Sequence, residues 1–206
     1  MNITLDDLIQ VSKTETKSAV EVLVRSFWND SLTEYFFPDE EMRREHLPVF
    51  MEYRVKQGSL YGQVYATSPK LEGIAIWKHS EDVNRSLLKD LRSGGFALFR
   101  KVGTTKLREM TAVDQFTSSR RDEYSIKPYL HLGPVAVEPD FQGKGFATKL
   151  VRPMLDHLDT EGLNCYLEAQ SESNVSLYQH FGFEVVAKGT VPDTDIPHWD
   201  MIRIPE

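Results

Sequence analysis

The sequence contains little cysteine, no long apolar run and no excess of positive charge. Its one cysteine, Cys165, cannot form an internal disulfide, and no zinc-site spacing surrounds it. No apolar run approaches the roughly 20 residues that cross a bilayer, and residues 1–7 lack the basic and apolar regions of a secretory signal. A formal net charge of -7 argues against general nucleic-acid binding, which needs a basic surface. We therefore expect a cytoplasmic protein with no metal and no nucleic-acid or membrane partner.

The composition is that of a folded globular protein. Hydrophobic residues make up 40% of the 206 and aromatic residues 11%, which argues against disorder. This length fits one domain with a substantial core, and no repeat or low-complexity linker divides it. We expect a single domain over residues 1–206, with a helical insertion around residues 81–127, as a monomer or a homodimer.

Two helices and a hairpin are predicted before residue 80. The first helix carries apolar residues at helical spacing and ends near Trp28. The second starts after Pro38 and stops at Gly58, and Pro48 should bend or split it. Residues 60–66 and 71–77 have the pattern of two antiparallel strands joined by a turn.

The middle of the chain is predicted to be helical and polar, with breaks at Gly94-Gly95 and at Gly103. It contains Arg120-Arg121 beside Asp122-Glu123. We interpret this charge cluster as solvated surface, which is the usual place for mixed charges, with contact to substrate or cofactor as the alternative.

The last third contains a strand–helix–strand unit. A strand over residues 129–137, a helix over 145–158 and a strand over 163–169 require a parallel pair, because the helix carries the chain back across the sheet. A short helix over 174–181 and strands over 183–187 and 199–204 follow. Since the first hairpin is antiparallel, the predicted sheet is mixed.

The turn between that strand and helix has the chemistry of a phosphate-binding loop. Glycines at 143 and 145 let the backbone approach an anion, and the N-terminus of the helix offers unpaired N–H groups. Lys144 adds a positive charge. A Walker loop is excluded because Glu138 stands in place of its first glycine. A dinucleotide fingerprint remains an alternative, although Thr148 stands in place of its third glycine.

A third phosphate-binding pattern, Gln/Arg-x-x-Gly-x-Gly/Ala, is matched by Gln142, Gly145 and Ala147. It follows Val135-Ala136-Val137-Glu138-Pro139 and precedes Tyr178-Gln179-His180-Phe181-Gly182-Phe183. In this arrangement the sequence resembles the GNAT superfamily of acyl-CoA-dependent N-acetyltransferases, over roughly residues 129–206. The stretch from Cys165 through Asn174 to Tyr178 is most similar to the branch that contains puromycin N-acetyltransferase.

The resemblance implies a fold, a donor and a reaction. The fold is of the α/β (α+β) class, a mixed and mostly antiparallel sheet with a central splayed parallel pair, flanked by helices. The reaction is direct transfer of an acetyl group from acetyl-CoA to a primary amine of a small molecule or peptide. A non-catalytic acyl-CoA-binding or regulatory module is the alternative.

The resemblance also implies which residues hold acetyl-CoA. The pantetheine arm pairs with the backbone of Val135 and Val137 as an extra strand would, and Asn174 contacts the cofactor. The Asn174 side chain could equally cap the following helix. Gly133 and Pro134 interrupt ladder pairing, as a splayed strand or a simple bulge would. The pyrophosphate lies on the backbone N–H groups of Gln142, Gly143, Lys144, Gly145, Phe146 and Ala147.

Three residues are candidates for the chemistry. Tyr178 occupies the position where the family places the proton donor to the departing thiolate, although it could be a core tyrosine. His131 is the first candidate for the base that deprotonates the amine, and Glu168 is the second; a water chain is a third possibility, and a structural role for His131 stays open. Acidic residues 30–41 could attract a cationic amine or could simply be solvated.

Overall fold

A computed structural model describes residues 4–84 and 86–205 as a seven-stranded mixed sheet covered by helices on both faces. The strand order is β1-β2-β3-β4-β5-β7-β6, and every neighbouring pair is antiparallel except β4 and β5. This confirms the predicted fold class. The strands are Ile9–Gln10 (β1), Gln63–Ala66 (β2), Gly73–His79 (β3), Tyr129–Val137 (β4), Asn164–Ala169 (β5), Glu184–Thr190 (β6) and Pro197–Arg203 (β7).

Seven α-helices connect and cover these strands in the described part of the chain. They are Thr16–Ser26 (α1), Ser31–Phe36 (α2), Glu40–Tyr61 (α3), Leu87–Arg92 (α4), Gly95–Tyr124 (α5), Phe146–Glu161 (α6) and Glu172–His180 (α7). None of them is long and apolar enough to cross a bilayer.

The second predicted helix is longer than expected. Asp39 caps α3 by accepting from the N–H of Met42, and the helix passes Pro48 and ends at Tyr61. Residue 60 therefore lies in a helix and not in the predicted strand. The chain turns at Gly62, where a Cβ would lie 2.2 Å from the carbonyl oxygen of Trp77, so only glycine fits against β3.

Two apolar cores lie on opposite faces of the sheet. Alternation places Ile74 and Ile76 of β3 on the face covered by α1, α3 and α5, and Ala75 and Trp77 on the face covered by α6 and α7. The predicted breaks in the middle helices are confirmed: Gly94 (φ +94°) separates α4 from α5, and Gly103 (φ +79°) interrupts α5.

Strand β4 changes its pairing halfway along. In the ladder with β3, Trp77 pairs with Leu132 but Ala75 pairs with Val135, so β4 carries one extra residue there, a β-bulge. In the parallel ladder with β5, the last pair is His131 and Tyr166. Beyond that pair the two strands part, and β4 continues toward its glycine loop paired only with β3.

Candidate active site

The glycine loop at the end of β4 leads directly into α6. Gly143 (φ +72°) and Gly145 (φ +80°) both occupy left-handed backbone conformations, and a Cβ at either position would meet nothing within 4 Å. Their glycine identity is therefore set by backbone conformation and not by crowding. The loop is exposed, and its surface is open to a ligand.

The start of α6 offers an anion site. Gly145 is the N-cap, so no side chain caps the helix, and the first turn contains no acidic residue that would repel a phosphate. The first N–H groups of a helix have no acceptor within it and lie at the positive end of the helix dipole. Lys144 stays beside the loop, where its Nζ donates to the carbonyl oxygen of Asp140 at 2.8 Å. The glycine loop and the start of α6 together could therefore receive a pyrophosphate.

The backbone of β4 presents polar groups to the gap between β4 and β5. The N–H of Glu138 donates to the carbonyl oxygen of Glu72 on the β3 side. Because the direction of backbone groups alternates along an antiparallel ladder, those of Val135 and Val137 point the other way, to the open side. The carbonyl of Val137 accepts from Ser26 Oγ at 2.9 Å and Gln142 Nε2 at 3.1 Å. An extended ligand could therefore pair with the rest of this edge.

The closed end of the gap carries an imidazole, a carboxylate and a guanidinium. Nε2 of His131 lies 2.6 Å from Oε2 of Glu168, and Nη1 of Arg121 donates to Oε1 of the same carboxylate at 2.8 Å. A Cβ at Gly133 would lie 3.6 Å from Cε1 of His131, so the imidazole lies beside the bulge. The sequence placed His131 and Glu168 as alternatives, and the structure brings them together.

The pKa values of Glu168 and His131 shift for different reasons, and the shifts set the charge of each group. Burial raises the pKa of Glu168, but His131 and Arg121 outweigh it and lower that pKa to about 2. Burial lowers the pKa of His131 below 6.5, and Glu168 offsets part of this effect. At neutral pH, then, Glu168 is an ionised acceptor and His131 is neutral. Its Nε2 carries the proton toward Glu168, which leaves the lone pair on Nδ1.

The interpretation of Arg120-Arg121 as solvated surface is wrong. Arg121 is buried against Glu168, and Arg120 contacts Asp200, with Nε to Oδ2 at 2.7 Å. The Asp200 carboxylate also accepts from the Tyr166 hydroxyl at 2.6 Å. The C-terminal part of α5 thus covers the polar side of β5 and β7. The sequence could not show this, because no local pattern tells which face of a polar helix meets the sheet.

A second polar group missed by sequence reasoning lies on β3 and α3. Lys78 is the cross-strand neighbour of His131, and its Nζ donates to Oε1 of Gln57 at 3.0 Å. Burial is the main cause that lowers the pKa of Lys78 to about 7, followed by the charges of Arg54 and Arg121. The alternation of Ile74, Ile76 and Lys78 along β3 could have predicted which face of the sheet Lys78 occupies. The sequence could not predict that His131 lies opposite Lys78 on the neighbouring strand.

Tyr178 lies on the opposite face from His131. Its ring packs against Phe183 with centroids 5.8 Å apart, and burial raises the pKa of its hydroxyl, with Cys165 contributing. Cys165 is fully buried, and burial raises its pKa as well. Because the β4–β5 ladder ends at the His131–Tyr166 pair, Tyr178 and His131 would approach a ligand in the gap beyond it from opposite sides.

The structure excludes the alternative that Asn174 caps the short helix. Ser171 is the N-cap of α7, and its Oγ accepts from the N–H of Asn174 at 3.2 Å. The Asn174 side chain is exposed in the first turn, beside the gap-lining end of β5. Gly182 (φ +87°) follows the helix in a left-handed conformation, which glycine commonly adopts at the end of a helix.

Trp199 belongs to the core on the α6 side, where it is 7% exposed. Two shallow cavities, of about 390 and 360 Å³, lie along α5 and between the start of β4 and α6. Neither is lined by a predicted site residue.

Comparisons with known proteins bear on the fold and on the class of protein. The model of the acetyltransferase (GNAT) family matches residues 88–183. An uncharacterized N-acetyltransferase of Schizosaccharomyces pombe is 29% identical over 209 residues, which cover 96% of this chain and 83% of the yeast protein. The uncharacterized N-acetyltransferase YhbS of Escherichia coli K12 is 26% identical over 120 residues, 58% of this chain and 70% of YhbS.

A solved structure shares the fold. "Histone acetyltransferase HPA2 and related acetyltransferase" from Corynebacterium glutamicum superposes with a TM-score of 0.64 and 21% identity, covering 100% of this chain and 98% of that one. The fold, the matched segment and the relatives define an acyltransferase. Residues 88–183 are thus similar to the GNAT acetyltransferase family, and the whole chain is similar to N-acetyltransferases. A mostly antiparallel sheet also speaks against the dinucleotide-binding alternative, whose fold is a doubly wound parallel sheet.

Proposed function

We propose that the protein transfers an acetyl group directly from acetyl-CoA to a primary amine of a small molecule or peptide. The observation that carries the proposal is the gap between β4 and β5, which runs from the glycine loop to the His131–Glu168 pair. The similarity of residues 165–178 to the puromycin N-acetyltransferase branch favours a small-molecule amine. We also propose that the whole chain forms one domain, since both cores share a single sheet. We further propose that the protein acts in the cytoplasm.

Three parts of the chain would hold acetyl-CoA. The N–H groups of the loop and of the first turn of α6 receive the pyrophosphate, and Lys144 lies beside it. The open-side backbone of Val135 and Val137 pairs with the pantetheine arm. Asn174, exposed at the start of α7, contacts the same ligand. The residues concerned in the loop are Gln142, Gly143, Lys144, Gly145, Phe146 and Ala147.

His131 is the base in this proposal. Nδ1 accepts a proton from the ammonium group of the acceptor, directly or through a water, and the amine becomes nucleophilic. Glu168 and Arg121 do not take the proton, because a carboxylate with a pKa of about 2 is too weak a base. They hold the imidazole in the tautomer that leaves Nδ1 free. Backbone N–H groups on the open side of β4 are suitable donors to the carbonyl oxygen as its charge develops.

Tyr178 is the acid. Burial raises the pKa of its hydroxyl, so it keeps its proton at neutral pH and can give it to the departing thiolate. Cys165 is not an acyl carrier, since a buried thiol with a raised pKa is a poor nucleophile. The amine nitrogen therefore forms its bond to the carbonyl carbon as the carbon–sulfur bond breaks, with no acyl-enzyme.

The replacement Tyr178→Phe tests the proposal. We expect kcat, measured as CoA release from acetyl-CoA with a panel of primary amines, to fall about 100-fold. The dissociation constant for acetyl-CoA, measured by calorimetry, should stay within about threefold, because the hydroxyl acts only as the thiolate forms.

Two results would contradict the proposal. One is acetyl-CoA binding by the wild type without acetylation of any amine in the panel, as shown by mass spectrometry. The other is full activity of Tyr178→Phe, which would remove Tyr178 as the acid while leaving the transfer itself established.

A further inference from the structure

Arg54 lies on α3 above the polar face of the sheet and is half-buried. Its electrostatic neighbours are Asp114 and Arg121 on α5, Glu168 on β5 and Lys78 on β3. Within residues 4–84 and 86–205, no hydrogen bond or ion pair holds its guanidinium. Its nitrogens are also not among the buried polar atoms that lack a partner. The guanidinium is therefore both unpaired and in contact with solvent, an unusual state for a charge in this position.

Lys78, whose pKa is about 7, supplies a second group at the same place, which is cationic when it is protonated. Its ammonium uses one donor on Gln57 and has two more available. Because Lys78 and His131 are directly opposite each other in the antiparallel ladder, their Cβ atoms lie about 5 Å apart. A ligand that reaches Nδ1 of His131 thus comes within reach of the Lys78 ammonium.

The carboxylates around Arg54 are engaged elsewhere. Among the described neighbours, Asp114 and Glu168 are anionic, and Arg121 is a further cation. Glu168 is committed to Arg121 and His131, and Asp90 accepts from Tyr53 and Gln57. The Arg54 guanidinium therefore keeps donors that an anion from solvent could use.

Two of the acidic residues near the first loop are already used within the protein. Asp30 caps α2, accepting from the N–H groups of Leu32 and Thr33, and Asp39 caps α3. Both carboxylates thus act as helix caps. The alternative of a cationic acceptor has no support from these two residues.

We infer that the acceptor is an amine that also carries an anionic group, a carboxylate or a phosphate, which Arg54 and Lys78 bind while the amine lies at His131. An α-amino acid, whose amine and carboxylate are separated by one carbon, is the simplest acceptor of this class. The inference rests on the proposed acetyl transfer and names its substrate class.

Matched acceptors test the charge requirement. The wild-type protein is assayed for CoA release with L-amino acids, with the same amino acids as C-terminal amides, and with phosphoethanolamine against ethanolamine. We expect kcat/KM to be at least about tenfold higher for the anionic member of the preferred pair. This is the factor that one hydrogen bond to a charged group contributes. The amino-acid pair and the phosphate pair distinguish the two sources of the anion.

Replacement of Arg54 then tests the assigned residue. In Arg54→Gln the preference for the anionic acceptor over its neutral partner should shrink by about tenfold or more, and Arg54→Lys should retain part of it. Arg44→Gln is the matched control, because Arg44 lies exposed on the same helix. Thermal melting of each variant verifies folding.

Product binding gives a readout that does not depend on turnover. In calorimetry with CoA present, the wild type should bind the N-acetylated amino acid at least about tenfold more tightly than its amide, and Arg54→Gln should lose this difference. Equal use of neutral and anionic amines, with no effect of Arg54→Gln, overturns the inference and leaves acetyl transfer intact. Failure to acetylate any amine overturns the proposed function instead.

Discussion

His131 can accept a proton only if the nitrogen that does not face Glu168 carries the lone pair. The 2.6 Å contact between Nε2 and the ionised carboxylate meets this requirement, because an acceptor-only group forces the proton onto the nitrogen facing it. Arg121 in turn keeps Glu168 ionised. A histidine, a carboxylate and an arginine therefore act as one unit whose only basic site at neutral pH is Nδ1.

The pH dependence of this unit follows from its pKa shifts. Burial lowers the pKa of His131, so protonation removes the base only below pH 6.5. We predict that kcat/KM of the wild type falls on the acidic side with an apparent pKa below 6.5, which belongs to the His131–Glu168 pair as a whole. His131→Gln should lower kcat/KM by about 100-fold or more and abolish that acidic limb.

The control for this prediction is His157→Gln, since His157 is exposed on α6. Its pH profile should match that of the wild type. An unchanged acidic limb in His131→Gln would show that another group, or a chain of waters, deprotonates the amine.

At the scale of elements, the unit of β4, loop and α6 was the most predictable part of the molecule. The bounds of β4 coincide with the predicted residues 129–137, and the loop conformation agrees with the glycine pattern. Both features depend on a few adjacent residues, because neighbouring glycines allow positive φ and leave the start of the helix without a side-chain cap.

Elements whose role depends on distant partners were less predictable. Helix α5 was expected as a helix, but Arg121 was placed at the surface, because contact with Glu168 joins residues 47 positions apart. A helix cap was one possibility for Asn174, and Ser171 provides that cap instead. Both residues are polar, and sequence alone does not distinguish a polar residue that faces solvent from one that faces a carboxylate.

The glycine loop allows a matched pair of substitutions. Gly145 (φ 80°, ψ 10°) precedes α6 and Gly162 (φ 63°, ψ 32°) follows it, and a Cβ at either would meet nothing within 4 Å. Each replacement by alanine should cost about 1–2 kcal/mol of unfolding free energy, since both positions are left-handed. We predict that only Gly145→Ala weakens acetyl-CoA binding, by about tenfold, through displacement of a phosphate-binding N–H.

Calorimetric titration of acetyl-CoA into both variants checks this prediction, alongside denaturant unfolding. Equal acetyl-CoA affinities for the two variants, at similar stability losses, would indicate that the start of α6 does not hold the pyrophosphate.

At the scale of the whole molecule, the sheet separates two environments that meet at one place. The α6 side is apolar and carries Tyr178, whereas the α3 and α5 side carries the charged groups around His131 and Glu168. The parting of β4 and β5 beyond the His131–Tyr166 pair opens a path between them. An acyl donor in this gap would have the proposed base on one side and the proposed acid on the other.

This arrangement was predictable only in outline. The Gly133-Pro134 pair indicated either a bulge or a splay, and the structure contains both at that point. The charged face was not predictable, because Arg54, Lys78, Arg121 and Glu168 come from four elements spread over more than half of the chain. Their meeting depends on strand order, which no local pattern specifies.

The most direct test of the central claim is a crystal structure of the protein with CoA. We expect pyrophosphate oxygens within about 3 Å of the N–H groups of the loop and the first turn of α6. We also expect the pantetheine arm between β4 and β5, with the sulfur between Tyr178 and His131. A CoA molecule bound elsewhere, or a gap that stays closed at saturating CoA, would contradict it.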